Sequence, residues 1–309
     1  MRAITLAMAM IVGGATVGHA YDDAECGEIQ DQWATLLDQH LGLEITAGPT
    51  TTFTATPEGC SATDLEIYVE ATGQELRLGV LSYAAPDLRE WLRGEVILPA
   101  TLRLTFESLY QAAPPGLDAA TAWGFEVANR HNAAHGIIDW TWDEATQGLA
   151  IARFDIDLAY DSALSMTLAG RAFGWEPYDM PFARFGVTSV QIDLSNGGLF
   201  QTSFATALAI SVTRGGAVSV EDGLTDFRRA TRQLAMVLPP SFLSAESLAA
   251  LFEVVDALPN PDGDLTLTLT SETPVRLQQF GERLRQGIPP AAAMPEGARI
   301  GAIWTPAAR

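Results

Sequence analysis

Two histidines, His131 and His135, stand four residues apart. On a helix that spacing sets both imidazoles on one face, as a metal site requires, and Asp139 offers a third ligand, with Asp143 as its alternative. The pair lacks the His-Glu-x-x-His context of a zinc hydrolase. A helix ending before Gly136 would also place imidazoles at the negative end of its dipole without any metal. Asp155, Asp157 and Asp161 form a second set, since side chains two apart on a strand point the same way. Paired carboxylates can run glycoside hydrolysis or hold calcium, and they equally make the solvated side of an amphipathic strand. Asn260-Pro261-Asp262-Gly263-Asp264 has the oxygen density of a calcium loop, but its glycine comes fourth rather than sixth and no glutamate closes it. It reads better as a turn. Arg228, Arg229 and Arg232 could grip a carboxylate or phosphate, or could form the solvated side of a helix whose other side carries Leu224, Phe227 and Leu234. Trp140 and Trp142 alternate with Asp139, Thr141 and Asp143 as one face of a strand, suited to core or to a ligand platform.

Composition removes several mechanisms. All 18 basic residues are arginine and lysine is absent from the 309-residue chain. Internal Schiff bases, a P-loop lysine and a serine-lysine dyad all need an amine whose pKa can fall, which guanidinium cannot supply. A serine triad has no Gly-x-Ser-x-Gly elbow to build on. With 38 acidic residues the formal charge is −20, so nucleic acid and anionic lipid headgroups are poor electrostatic partners. No cofactor is called for.

Residues 1–20 run from Arg2 through an apolar stretch, Ile4 to Val12, to small residues at Gly18 and Ala20. This is the pattern of a cleavable export signal, with cleavage after Ala20 and a periplasmic destination. The apolar stretch is too short to span a membrane, and no later stretch has 18 uninterrupted apolar residues. An even cysteine pair in an exported chain reads as a disulfide, here Cys26 with Cys60.

The elements that must position these residues follow from hydrophobic period. Ile29, Trp33, Leu36, Leu37 and Leu41 give a helix over about 24–41, stopped by Gly42. Leu65-x-Ile67-x-Val69 and Leu76-x-Leu78-x-Val80, joined at Gly73, read as an antiparallel hairpin with one wet face. A short helix over 86–92 and a strand at Leu102, Leu104 and Phe106 come next. After the Pro114-Pro115-Gly116 break, a helix over about 118–134 precedes further strands. Ala150, Ala152, Phe154, Ile156 and Leu158 would share one face, Leu164, Met166 and Leu168 another, and Val190, Ile192 and Leu194 a third that ends at the Asn196-Gly197 turn. Helices follow from Phe200 to Gly215-Gly216, from Leu224 to Leu238 and from the N-cap Ser244 to Leu258. Leu265, Leu267 and Leu269 form a late strand, Val275 to Arg285 a final helix, and Ile300 to Trp304 a closing strand.

The path from Asn196-Gly197-Gly198-Leu199-Phe200, through Leu258-Pro259-Asn260-Pro261, to Gly263-Asp264-Leu265-Thr266-Leu267-Thr268-Leu269 and Pro274-Val275 resembles uncharacterised exported proteins of alphaproteobacteria. The likeness covers about a third of the chain. It implies an envelope location and brings no catalytic residues.

The fold expected is α+β: antiparallel sheet of alternating strands, partly covered by helices, because no regular strand-helix alternation and no Gly-x-Gly-x-x-Gly fingerprint occurs. Residues 1–20 would be the signal, 21–112 an N-terminal helix with strands, and 113–309 strands, helices and a closing strand pair, whether separate or continuous with the preceding part. The leading functional expectation is a non-catalytic periplasmic protein whose sheet binds an apolar, lipid-like small molecule or an envelope protein. The rival is a periplasmic hydrolase using the paired carboxylates or a metal held by His131, His135 and Asp139.

Overall fold

A computed structural model describes residues 21–307 except 71, 181, 215–217 and 237. The expected export signal, 1–20, and the expected helix stop at Gly215-Gly216 lie outside the described residues.

Helix α1 (Asp23–Leu41) opens with a reciprocal cap: the Asp22 carboxylate accepts the Glu25 N–H, and the Glu25 carboxylate accepts the Asp22 N–H. It closes at Gly42, whose φ of +62° is cheap for glycine alone. Ten strands follow, β1 (Leu43–Ala55), β2 (Gly59–Val69), β3 (Gln74–Ala84), β4 (Thr101–Gln111), β5 (Ala134–Asp143), β6 (Gly148–Leu158), β7 (Ser162–Ala172), β8 (Phe185–Asn196), β9 (Gly263–Val275) and β10 (Arg299–Pro306). They form one antiparallel sheet in strict chain order, β1 to β10. The chain is therefore α+β, and its sheet runs without a break across residue 112.

Register shows why alternation was the decisive signal. Ala55, Cys60, Tyr83, Leu104, Ile138, Phe154, Met166, Ile192, Leu267 and Ala302 lie directly opposite one another in sequence, one from each strand. Paired residues point to the same side, so this row crosses the whole sheet on one face. The row one step behind it on the other face reads Thr54, Ser61, Ser82, Thr105, Ile137, Asp155, Ser165, Asp193, Thr266 and Ile303. One face is thus apolar throughout and the other largely polar.

A bulge corrects one expected face. Trp140 opposes Ile151 while Asp139 opposes Arg153, so Ala152 is an extra residue in β6. The phase shifts there, which puts Ile151 with Phe154 and Ile156 on the apolar side and leaves Ala150 opposite Thr141 on the other. Strand β1 gave no sequence signal. It is a threonine-rich edge strand whose register jumps between Ala47 and Thr52, and the intervening Gly48-Pro49 is tolerated there because an edge strand needs no donor on its outer side.

Helix–sheet packing concentrates at the two ends. Helix α1 lies on β1 and β2, and α2 (Leu88–Leu92) adds buried Leu88 and Trp91 beneath it. The core there joins Ile29, Leu65 and Tyr83 to Trp91, whose ring stacks on Trp33 at 4.4 Å, with Trp140 edge-on to Trp33 at 5.8 Å. The loop after β7 returns to the same core: Trp175 stacks on Trp142, and the Tyr178 hydroxyl donates to the Trp91 carbonyl at 2.7 Å. Trp140 and Trp142 are therefore core residues. Cys26 and Cys60 are bonded, pinning the first turn of α1 to the start of β2.

Helix α3 (Ala119–His131) stops three residues short of the expected end, capped by Asn132. A π-helical turn (Phe200–Phe204) leads into α4 (Ala205–Arg214), followed by α5 (Val220–Met236) and α6 (Ala245–Ala257), with Ser244 as the α6 N-cap. Val275 still belongs to β9, so α7 begins two residues late (Leu277–Arg285), and a short α8 (Pro290–Ala293) follows it. Helix α6 covers β10, where Phe242, Leu243, Leu251, Leu269 and Ile300 form a second core.

Replacing both Cys26 and Cys60 by serine removes a cross-link that closes a 35-residue loop and is expected to lower stability by about 2–4 kcal/mol in urea titration. Arg89 hydrogen-bonds the Glu25 carboxylate, which with the Asp22 N–H holds it down at a pKa of about 2. Its unfolded value is about 4.3, so its contribution is complete above roughly pH 5 and is lost as pH falls through 4 towards 2. In Glu25→Gln, urea midpoints are expected to fall less between pH 5 and pH 2.5 than in the parent protein.

Candidate functional site

On the polar face, β5 and β6 bring two sequence candidates together. His135, on β5, lies directly opposite Asp157 on β6, and Asp155 lies two residues along, opposite Ile137. With Glu107, Arg153 and Ser165 these residues line a shallow depression of about 440 Å³. His131 does not join them: it is the last residue of α3, whereas His135 is the second residue of the next strand, so the helical i,i+4 face expected for the pair does not exist. The chain leaves the helix at Asn132 because β5 must start at Ala134 to pair with Leu109. Asp139 is committed elsewhere, in an ion pair with Arg103 at 2.8 Å across β4 and β5. Asp143 accepts hydrogen bonds from the Ala145 N–H and the Thr146 hydroxyl in the following turn. Among the described residues no group of three or more His, Cys, Asp and Glu side chains is placed to hold a metal ion.

The electrostatics of this depression are those of a solvated strand face. Arg153 hydrogen-bonds the Asp155 carboxylate and Ser165 adds a second bond, so the Asp155 pKa is lowered. Hydrolysis by paired carboxyls needs one of them held neutral as a proton donor, which requires a raised pKa. Asp155 is pushed the opposite way. The Nδ1 of His135 accepts the Ser108 N–H at 3.4 Å, a long bond from a residue in the β4 bulge. Asp161 has left the strand for the β6–β7 turn, where its φ is +53°.

The other candidates resolve as structure. Arg228 on α5 donates to the carbonyls of Val255, Asp256 and Leu258, at 3.3, 3.4 and 2.6 Å, satisfying the open end of α6. Arg232 pairs with Asp256 and lies over the Phe252 ring, and Arg229 pairs with Asp226. Residues 260–262 connect α6 to β9, which already includes Gly263 and Asp264, and the Asn196 side chain holds this connection by donating to the Pro261 carbonyl at 2.6 Å.

The apolar face has a different character. Along the row that crosses all ten strands, Cys60 and Tyr83 are 1% and 2% exposed beneath α1 and α2, and Ala302 is 6% exposed beneath α6. Between them Leu104, Ile138, Phe154, Met166, Ile192 and Leu267 are only half-buried. From β4 to β9 this half-buried apolar strip, or trough, is roughly 24 Å wide, five inter-strand steps of about 4.8 Å. At one end it meets a half-open cavity of about 200 Å³ between the sheet and the helices, walled by Leu194, Leu265 and Trp304 from the strands, Phe200 and Phe204 from the π-helical turn, Val254 from α6 and Leu258 at the α6 C-cap. Asn196 is its only polar side chain among the lining residues. Its amide is already used, donating to Pro261 and Gln201, while its carbonyl oxygen accepts the Phe200 N–H. Sequence reasoning marked these apolar residues one by one as strand or helix positions. The signal it missed was the surplus: Phe200 and Phe204, four apart beside a strand that was already apolar on one side.

No protein-family model matches the chain, and no curated protein matches it in sequence. Among the described residues no helix is long and apolar enough to cross a membrane.

Removing the Arg153 guanidinium should free the carboxylate it holds. In Arg153→Gln, the Asp155 carboxyl is expected to titrate closer to the ordinary value of about 3.9, read by carbon-detected NMR.

Proposed function

We propose that this is a non-catalytic exported protein of the periplasm that binds an apolar, lipid-like molecule in the trough of its sheet. The observation that carries the reading is the row of apolar side chains that is sealed at both ends by helices and half-buried across the strands between. A continuous apolar strip that the protein's own helices leave uncovered supports a binding role. The cavity behind Trp304 supports the reading because it is lined by apolar side chains and its one polar lining group is satisfied internally. The disulfide suits an oxidising compartment, and the 1–20 segment and the likeness to exported alphaproteobacterial proteins point to the same place.

Protein purified from its native periplasm without denaturant is expected to show, in native mass spectrometry, an added mass that an organic extract identifies as a lipid. Ile192→Glu places a carboxylate in the middle of the trough and is expected to remove most of that mass while far-UV circular dichroism is unchanged. A bare protein mass from the parent chain would overturn the reading, and a stoichiometric protein partner in its place would move it to envelope-protein binding.

A further inference from the structure

A second pocket, of about 400 Å³, lies at the other end of β9 from the cavity behind Trp304. Its walls come from Phe173 after β7, Pro274 and Val275 at the end of β9, Phe280 on α7, and Ala293 and Pro295 around α8. Two guanidinium groups reach it, Arg276 and Arg283. Arg276 lies over the Phe173 ring at 4.2 Å, and Arg283 donates to the Ala293 carbonyl at 3.0 Å. Among the described residues neither pairs with a carboxylate, although the chain carries 38 acidic side chains against 18 basic ones. Both guanidiniums thus border one apolar pocket with no carboxylate paired to either among the described residues.

We infer that this pocket takes a single-chain amphiphile with an anionic carboxylate head, a free fatty acid, its head against Arg276 and Arg283 and its chain against Phe173, Val275 and Phe280. The volume falls within the range of about 300–1,000 Å³ usual for small-molecule sites. Guanidinium is weakly hydrated and matches a carboxylate with a fork of parallel N–H donors, so it loses less on desolvation than an ammonium would. Arg276 keeps its ring contact and Arg283 its carbonyl while each still has N–H groups left to donate. The chemistry is shared by a phospholipid headgroup, but the overall charge of −20 opposes approach to an anionic bilayer, which favours the free monomer. This inference does not rest on the trough, since its lining residues are a separate set.

The test uses the chain from Tyr21 with its disulfide intact, stripped of bound lipid. Isothermal titration with dodecanoate below its micelle concentration is expected to show binding at least tenfold tighter than with dodecanol, which has the same chain without the charge. Arg276→Gln and Arg283→Gln are each expected to reduce that preference several-fold, and Arg283→Lys to restore part of it. Equal affinity of the parent protein for dodecanoate and dodecanol, or no binding of either, overturns the inference without any variant having to fold. Binding to phosphatidylglycerol vesicles but not to monomeric dodecanoate also overturns it, in favour of a bilayer. Ile192→Glu, which tests the trough, should leave dodecanoate affinity within twofold of the parent, so failure at one site is distinguishable from failure at the other.

Discussion

One-sided burial on an open sheet governs this molecule. A strand sends alternate side chains to opposite faces, so ten paired strands with apolar residues at every second position create one continuous apolar surface that water disfavours and something must cover. Helix α1 with α2 covers the first strands, and α6 covers the last. The caps, the disulfide and the Arg89–Glu25 pair all hold α1 and α2 in that position. The contact of Arg228 with the end of α6 does the corresponding work at the far side by locking α5 to α6. What the helices leave half-covered is the middle of the sheet, and the functional reading follows from that remainder.

The strands were legible because alternation is a local signal. Leu164, Met166 and Leu168, Val190, Ile192 and Leu194, and Leu265, Leu267 and Leu269 all point as the period-two pattern requires. Where the pattern misled, a backbone irregularity intervened: the extra Ala152 in β6 reverses the phase, and nothing in Ala150-x-Ala152-x-Phe154 announces it. Strand β1 was silent because an edge strand paired on one side only can be built from threonine and glycine. The His131 and His135 spacing was read on a helix, but the helix ends at His131 and the strand begins at Ala134, so the two residues sit on different elements and share no common face.

The cavity was not legible at all. Its walls come from β8, the π-helical turn, α6, β9 and β10, elements that span more than a hundred residues of chain, and each residue taken alone is an ordinary core position. π-Helical turns recur at functional sites because the extra backbone residue re-aims side chains, and here the turn sets the Phe200 and Phe204 rings 6.1 Å apart at the cavity wall. The chemistry-bearing residues were individually visible and mostly turned out to be structural, because in a chain without lysine the arginines must supply every cationic contact that the fold needs.

The strict chain order of the strands has a further consequence for how the chain acquires its shape. Each strand bonds only to its immediate predecessor and successor, so the sheet has low contact order for its size and can lengthen strand by strand as the polypeptide arrives, amino end first. The Cys26–Cys60 bond needs only the first sixty residues, so the growing end starts from a covalently closed unit. Until β10 arrives, however, every intermediate presents a fresh unpaired edge. The finished molecule terminates that growth at Pro306, which has no N–H to offer, and at Ile300, whose N–H is taken by the Phe242 carbonyl at 2.7 Å.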